Sequence, residues 1–366
     1  MLNDPKYAAF LKNLREVSDR WKQNPGAYEF LGETPLKHFI FVEKARTWDQ
    51  FSRWHRTLKG NWGFRGQANA KWNLDPSIDR LTFVKGKSYG RQLDYWPYES
   101  DLLFKYQQQA HQFIAHPPPM SDRMSWLALM QHHGVPTRFL DWTRSPYAAS
   151  YFAFHEDLPR STANAAIWAI DLDQLEKRGN AALQKYTHER IPEDPRRRSK
   201  YLNRLLSRQL RSGPSGKEAP PMVVRVEPQA TDPWMTSQMG FFLCKAYSRA
   251  SFNLLLMTMM IHPDLIEFPL VRKLEIPRGL RFPFLKELNN MNVNHASLFP
   301  SLDGFSTSLR INLTICLDEY RQGIEAEEAA FDIKTWMEAR NQKDAQEHGI
   351  SPANQSEDEP EPPDSD

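Results

Sequence analysis

Apolar residues in this chain occur in short runs that are interrupted by glycine, proline and charged residues. The runs at residues 38–42, 62–66 and 165–170 have the length of strands, and segments with helical periodicity lie between them. The two patterns do not alternate regularly, as they would in a doubly wound parallel sheet. The sequence therefore predicts an α+β fold, with a short-stranded mixed or split antiparallel sheet and surrounding helices.

Changes in composition divide the chain into four predicted parts. We expect an N-terminal helical extension at 1–36, a main domain at 37–322, a C-terminal helix at 323–350 and a disordered acidic tail at 351–366. The tail has six carboxylates and no Lys or Arg, so the rest of the chain carries a net charge of +8. A positively charged body is suited to an anionic partner.

A basic insert at about 185–217 interrupts the main domain. Within it, residues 199–210 have the spacing of an amphipathic helix, with leucines on one side and basic residues on the other. We predict that the leucines pack on the body and that exposed arginines contact the backbone of RNA or DNA. These arginines are Arg197, Arg198, Arg204 and Arg208. An ordinary solvated surface is the alternative interpretation.

Several classes of protein are excluded by what the sequence lacks. Two cysteines, Cys244 and Cys316, are too few for a disulfide framework or a cysteine-rich metal site. The chain has no P-loop, GxGxxG, GxSxG or HExxH motif, and no metal site is predicted. The N-terminus has charges where a signal peptide needs an apolar core, and the longest apolar run is about half a membrane span. We therefore expect a cytoplasmic protein without a membrane partner.

The first candidate for a functional role is Arg65, which lies between Phe64 and Gly66. Aromatic neighbours bury the root of such a side chain, and a buried guanidinium needs an anionic or polar partner. Arg65 is therefore either an arginine in a core salt bridge or a donor to the phosphate or ribose oxygens of a ligand.

The second candidate segment, residues 131–146, places polar side chains between apolar ones. Its polar members include Thr137, Arg138, Asp141 and Thr143, and its apolar members include Phe139, Leu140 and Trp142. A helix that begins at Pro146 could be capped by Asp141 or Thr143. Capping explains one of the four polar residues, which leaves a binding or catalytic role for the others.

Two shorter segments follow nearer the C-terminus. Gln238 precedes Gly240 and an aromatic pair, where its amide can satisfy buried backbone groups or bind a ligand. Asp303 is predicted to cap a helix that starts near Phe305.

Taken in order, these segments resemble the FRG domain, a bacterial and phage family named for its Phe-Arg-Gly motif. The motif is Phe64-Arg65-Gly66 here, and a second block similar to QHxGxPTRLLDWT spans 131–143. A QxGxF element matches 238–242, and LFPxLDG matches 298–304, with KLEIP at 273–277 ahead of it. The resemblance covers about residues 38–322.

The order of the family's motifs is similar to that of ADP-ribosyltransferases. The resemblance implies an ADP-ribosyltransferase-like fold, NAD as the substrate and no metal. The implied catalytic residues are Arg65, Asp141, Thr143 and Gln238. The implied NAD contacts are Phe64, Arg65, Gln67, Thr137, Arg138 and Trp142. FRG-domain proteins also occur in toxin and phage-defence systems, which implies a toxin or defence effector, a nucleic-acid acceptor such as RNA, and an antitoxin or other regulatory protein as partner.

One residue departs from that pattern. Gln238 stands where many ADP-ribosyltransferases have a glutamate, and an amide cannot take up a proton. Either another carboxylate serves, such as Asp141 or Glu227, or the domain is a non-catalytic module that binds a nucleotide or a partner protein.

Overall fold

A computed structural model describes residues 5–23, 39–84, 91–92, 94–158, 163–207, 222–228, 233–246, 250–261 and 269–347. The chain forms two units, Met1–Ser308 and Leu309–Asp366. Within the described ranges, no helix combines the length and the apolar character that a membrane span requires.

The first unit is built on a seven-stranded sheet in the order β1-β9-β6-β2-β5-β8-β7, and β3 and β4 form a separate antiparallel pair. The strands are β1 Phe41–Lys44, β2 Trp62–Gln67, β3 Phe83–Val84, β4 Arg91–Gln92, β5 Phe139–Thr143, β6 Ala165–Asp171, β7 Val223–Val226, β8 Gly240–Lys245 and β9 Val271–Ile276. In the large sheet β1 and β9 run parallel, and the other neighbouring strands are antiparallel. The predicted α+β class with a mixed sheet and surrounding helices is confirmed.

Helices surround this sheet. They are α1 Pro5–Gln23, α2 Trp48–Arg56, α3 Ser77–Thr82, α4 Trp96–Ala110, α5 Arg123–His132, α6 Pro146–Phe154, α7 Leu172–Thr187, α8 Pro195–Ser207, α9 Pro233–Ser237, α10 Phe252–Met260, α11 Arg281–Asn290 and α12 His295–Leu298. A last helix, α13 Leu302–Glu347, begins in the first unit and continues into the second. Six consecutive residues of β6, 165–170, are buried, which is typical of a strand in the middle of a sheet that is covered on both faces.

Helix α6 packs directly on strand β2. Its residues Ala148, Ala149 and Ala153 are buried, so the helix offers a flat surface without long side chains. A Cβ atom added to Gly66 would lie 1.9 Å from the carbonyl oxygen of Ala149 and 2.6 Å from the backbone nitrogen of Ala153. Glycine is therefore required at this position, and the contact fixes β2 at the place where it carries Arg65.

Two capping predictions are wrong. Helix α6 is capped by Ser145, whose hydroxyl accepts the backbone N–H of Ala148 at 3.1 Å. Neither Asp141 nor Thr143 takes this role, because both lie in strand β5. Helix α13 begins at Leu302, and it is the Ser301 hydroxyl, not the Asp303 carboxylate, that accepts the N–H of Gly304 at 3.0 Å.

The two units divide the chain differently from the four predicted parts, which stay predictions. Helix α1 lies within the predicted N-terminal extension and belongs to the first unit, where Leu14 is buried. One continuous helix, α13, runs through residue 322, and the first unit ends at Ser308. The acidic tail at 351–366 lies outside the described residues.

Candidate functional site

A cavity of about 750 Å³ opens beside strands β2, β5 and β8 of the first unit. It is lined by seven of the residues that the sequence singled out: Phe64, Arg65, Gln67, Asp141, Trp142, Thr143 and Gln238. These residues are up to 174 positions apart in the chain. The sheet topology brings them together, because β5 lies between β2 and β8.

The cavity lies where two neighbouring strands separate. β2 and β5 share one register pair, Phe64 with Thr143. Beyond this pair the Nη1 group of Arg65 donates to the backbone carbonyl of Asp141 at 2.6 Å and lies 3.7 Å from its carboxylate. The Arg65 guanidinium thus bridges the split in the sheet.

The described contacts of Arg65 do not use all of its hydrogen-bond donors. Its Nε atom is buried and has no hydrogen-bond partner among the described residues. Burial lowers the pKa of Arg65, and the nearby Asp141 carboxylate acts in the opposite direction. The geometry combines both interpretations offered by the sequence: one guanidinium nitrogen is used in a structural contact, while the side chain, 20% exposed, lines a cavity that can hold an anion.

Asp141 is held by a second polar side chain. The Nε2 group of Gln131 donates to Oδ2 of Asp141 at 3.0 Å, and the Thr137 hydroxyl donates to Oε1 of Gln131 at 2.6 Å. The Asp141 side chain is 59% exposed, so its carboxylate is accessible to a ligand. Thr137 is itself fully buried and does not line the cavity, so its predicted contact with NAD stays a prediction that this geometry does not support.

Thr143 and Gln238 are joined to each other. The Thr143 hydroxyl donates to the backbone carbonyl of Gln238 at 2.6 Å, and the Gln238 side-chain amide donates to the carbonyl of Leu298 at 3.1 Å. Both residues line the cavity. Their described polar contacts connect β5 to the turn between α9 and β8, and this turn to α12, which gives the two residues a positioning role.

The late LFPxLDG element forms another part of the wall. Phe299 lines the cavity, and its ring stacks on His295 with 4.4 Å between centroids. A Cβ on Gly304 would lie 1.8 Å from the Phe299 carbonyl oxygen, so glycine is required for the chain to turn into α13. The sequence indicated only a turn here.

Arg138 does not line the cavity, so its predicted contact with NAD also stays a prediction that the geometry does not support. It is fully buried, and its guanidinium is bonded to the equally buried carboxylate of Glu99, with Nε at 2.9 and 2.8 Å from the two oxygens. Arg123 donates to the same carboxylate at 2.9 Å. Burial favours the neutral form of Glu99, but the two guanidinium groups outweigh it and lower the pKa of Glu99 to about 2. The cluster anchors the start of β5.

The other residues predicted to contact NAD differ in whether their polar groups already have partners. The Gln67 amide is engaged on both sides, since it donates to the Asn73 carbonyl at 2.9 Å and accepts from the Trp168 indole at 2.6 Å. Phe64 is buried at the cavity wall. Trp142 is 3% exposed, and its indole nitrogen has no partner in the described part of the chain.

Several lining residues were not foreseen from the sequence. His155 and Glu156 follow the end of α6, Trp234 lies in α9, and Arg80 lies in the last turn of α3. Burial lowers the pKa of His155 and opposes its protonation. The small residues of α6 are a sequence signal for His155 and Glu156, because they mark a helix that can pack closely on β2, the strand with the Phe-Arg-Gly motif.

The second suggested carboxylate lies elsewhere. Glu227 accepts from Arg144 at 2.6 Å and is not part of the cavity lining. Among the residues with described positions, no group of three or more His, Cys, Asp and Glu side chains is arranged to hold a metal ion.

The basic insert forms helix α8 as far as Ser207, and its Leu202, Leu205 and Leu206 are buried as predicted. Arg197 is exposed, and the Arg204 side chain is 61% exposed and lies 3.7 Å from Glu189. Arg198 donates to Glu176 at 2.7 Å and is held in an ion pair. Arg208 lies outside the described residues.

Residues 60–162 match the family model of the FRG domain. The chain contains an FRG domain. The match includes the Phe-Arg-Gly strand, the block that carries Asp141 and helix α6. Gln238 and Phe299 lie outside the matched residues but line the same cavity, so the FRG segment forms only part of the site. Searches of curated proteins and of solved structures gave no match for this chain.

Proposed function

We propose that the FRG domain of this protein binds NAD in the cavity and transfers its ADP-ribose group, with RNA as the acceptor, as a toxin or defence effector. The observation that carries the proposal is the convergence of Arg65, Asp141 and Gln238 on one cavity, with the charged Arg65 side chain at its wall.

The size and chemistry of the cavity suit a dinucleotide. Its volume of about 750 Å³ lies within the range of sites for small molecules and cofactors, which is about 300–1,000 Å³. A guanidinium with unused donors is suited to phosphate oxygens. The rings of Phe152, Trp234 and Phe299 offer surfaces for a base or for nicotinamide.

In the proposed reaction, the bond between C1′ of the nicotinamide ribose and the ring nitrogen breaks, and its electron pair leaves with nicotinamide. Positive charge develops on the ribose, where a fixed carboxylate stabilises it. A nucleophilic oxygen or nitrogen of the acceptor then bonds to C1′ and releases its proton to solvent.

The proposed nucleic-acid acceptor is supported by helix α8. Its buried leucines fix the helix on the first unit, while Arg197 and Arg204 are exposed to solvent. Exposed guanidinium groups along a helix can neutralise phosphates of a nucleic-acid backbone.

A binding module without catalysis is the second candidate. It is favoured by the amide at Gln238, which donates to the Leu298 carbonyl and offers no carboxylate. This candidate predicts NAD binding without loss of NAD, or binding of a partner protein at the cavity.

The test is the fate of labelled NAD incubated with the full chain and RNA. We expect release of nicotinamide and transfer of label, and a loss of both in Arg65→Ala. Arg56→Ala, which removes an exposed arginine of α2, is the matched control and should behave like the wild type. An intact NAD pool with wild-type protein, in the presence of RNA, DNA or protein acceptors, would overturn the transferase proposal.

A further inference from the structure

A directional chain of hydrogen bonds ends on the Asp141 carboxylate. The backbone N–H of Phe139 donates to the Thr137 hydroxyl at 3.1 Å, and this hydroxyl donates its own proton to Oε1 of Gln131 at 2.6 Å. With its oxygen engaged, the Gln131 amide presents Nε2 to Oδ2 of Asp141 at 3.0 Å. A flipped amide would place oxygen against oxygen at Asp141. Because a carboxylate accepts hydrogen bonds, the Gln131 amide is oriented with its donor toward Asp141.

Burial makes this chain rigid at its base and open at its end. Thr137 and Phe139 are fully buried, whereas the Asp141 side chain is 59% exposed. Arg65 donates to the backbone carbonyl of Asp141, and the same nitrogen lies 3.7 Å from Oδ2. The carboxylate is thus oriented by Gln131 before a ligand arrives, and an oriented charge stabilises a transition state more effectively than a mobile one.

The other described carboxylates near the cavity meet this condition less well. Asp75 lines the cavity and accepts from the Asn253 side-chain amide, but burial raises the pKa of Asp75 and so opposes the charged form. Glu156 lines the cavity with a side chain that is 51% exposed, and the described contact of its carboxylate is a 4.0 Å approach to His155. Glu227 is bonded to Arg144 outside the cavity lining. Gln238 has an amide in place of a carboxylate.

We infer that Asp141 is the carboxylate that faces the developing positive charge on the ribose, and that Gln131 is its positioning residue. This inference rests on the proposed function and answers the question raised by the amide at Gln238. It leaves Gln238 with the structural role that its bond to Leu298 indicates.

The experiment measures the rate of nicotinamide release from NAD by the full chain, at several NAD concentrations. We expect Asp141→Asn to lower kcat by about 10²–10³-fold, the loss typical of a removed electrostatic stabiliser. Gln131→Met keeps the side-chain length but cannot donate to Asp141, and we expect kcat to fall by about 10-fold or more. In both variants KM should stay within about 3-fold, since the lost interaction belongs to the transition state. Glu227→Gln is the control and should retain the wild-type kcat.

The outcomes separate this inference from the function on which it rests. If the wild type releases no nicotinamide, both are overturned. If the wild type is active and Asp141→Asn keeps kcat within about 3-fold, or if Glu156→Gln causes the large loss in its place, the assignment of Asp141 is overturned and the function stands. If Gln131→Met changes only KM, or changes kcat only because its melting temperature has collapsed, Gln131 is not a positioning residue.

Discussion

Replacing Glu99 by glutamine should remove a large share of the stability of the first unit. The carboxylate is fully buried between Arg138, also fully buried, and Arg123. Its pKa falls from 4.5 to about 2, and a difference of one in pKa corresponds to about 1.4 kcal/mol. The charged form of Glu99 therefore stabilises the folded state by about 3 kcal/mol, in agreement with the ~3–5 kcal/mol lost when one partner of a buried pair is removed.

The sign of the pH dependence follows from the depressed pKa. The stabilisation by Glu99 is fully present above pH 4.5 and is lost as the pH falls from 4.5 toward 2. Chemical denaturation should show Glu99→Gln destabilised by about 3 kcal/mol at pH 7, and the gap to the wild type should narrow below pH 4.5.

A matched control lies on the same helix. Changing Asp101 to asparagine should lower the free energy of unfolding by less than ~1 kcal/mol, because this side chain is 57% exposed and is paired with Lys105 at 2.8 Å on the surface. If Glu99→Gln does not fold, Arg123→Gln tests the same cluster with one guanidinium retained. A loss below ~1 kcal/mol for Glu99→Gln, or a gap that does not change between pH 7 and pH 3, would refute the reasoning.

Two further predictions concern packing and nucleic-acid binding. Gly66→Ala should destabilise the first unit by about 3 kcal/mol, because its Cβ would meet backbone atoms of α6. Gly279→Ala is the control and should be nearly neutral in the same denaturation assay, since a Cβ there has nothing within 4 Å. Equal stabilities of the two variants would contradict the close contact at Gly66. The slope of log K against log salt concentration measures how strongly salt weakens the binding of single-stranded RNA. Changing Arg197 and Arg204 to glutamine should reduce the magnitude of this slope by about 0.7 per lost phosphate contact. An unchanged slope would mean that α8 presents an ordinary solvated surface.

Local patterns gave the elements of this fold, but not their partners. The helix at Pro146–Phe154 and the strand at residues 165–170 follow from periodicity and residue type, and both occur where expected. The sequence does not show that β5 extends to Thr143, and therefore it offers Asp141 or Thr143 as the cap of α6. In the structure Ser145, the next possible cap, takes the role.

The sequence predicts which residues belong to the candidate site better than it predicts what each of them does there. The blocks that carry Arg65, Asp141 and Gln238 do meet at one cavity. Arg138 resembles a ligand-binding residue in the sequence. Its partner Glu99 is 39 positions away, and no pattern in the neighbouring sequence indicates that the two residues form a pair. The need for glycine at position 66 likewise arises from α6, which packs on β2 only in the folded chain.

The most direct test of the central claim is a calorimetric titration of NAD into the full chain, with wild type and Arg65→Ala side by side. We predict saturable binding by the wild type and an affinity at least about 10-fold lower in Arg65→Ala, as expected for the loss of charge-assisted hydrogen bonds worth about 1.5–3 kcal/mol. Arg56→Ala should bind like the wild type. No binding by the wild type at millimolar NAD, or equal affinities for wild type and Arg65→Ala, would contradict a dinucleotide site built on Arg65.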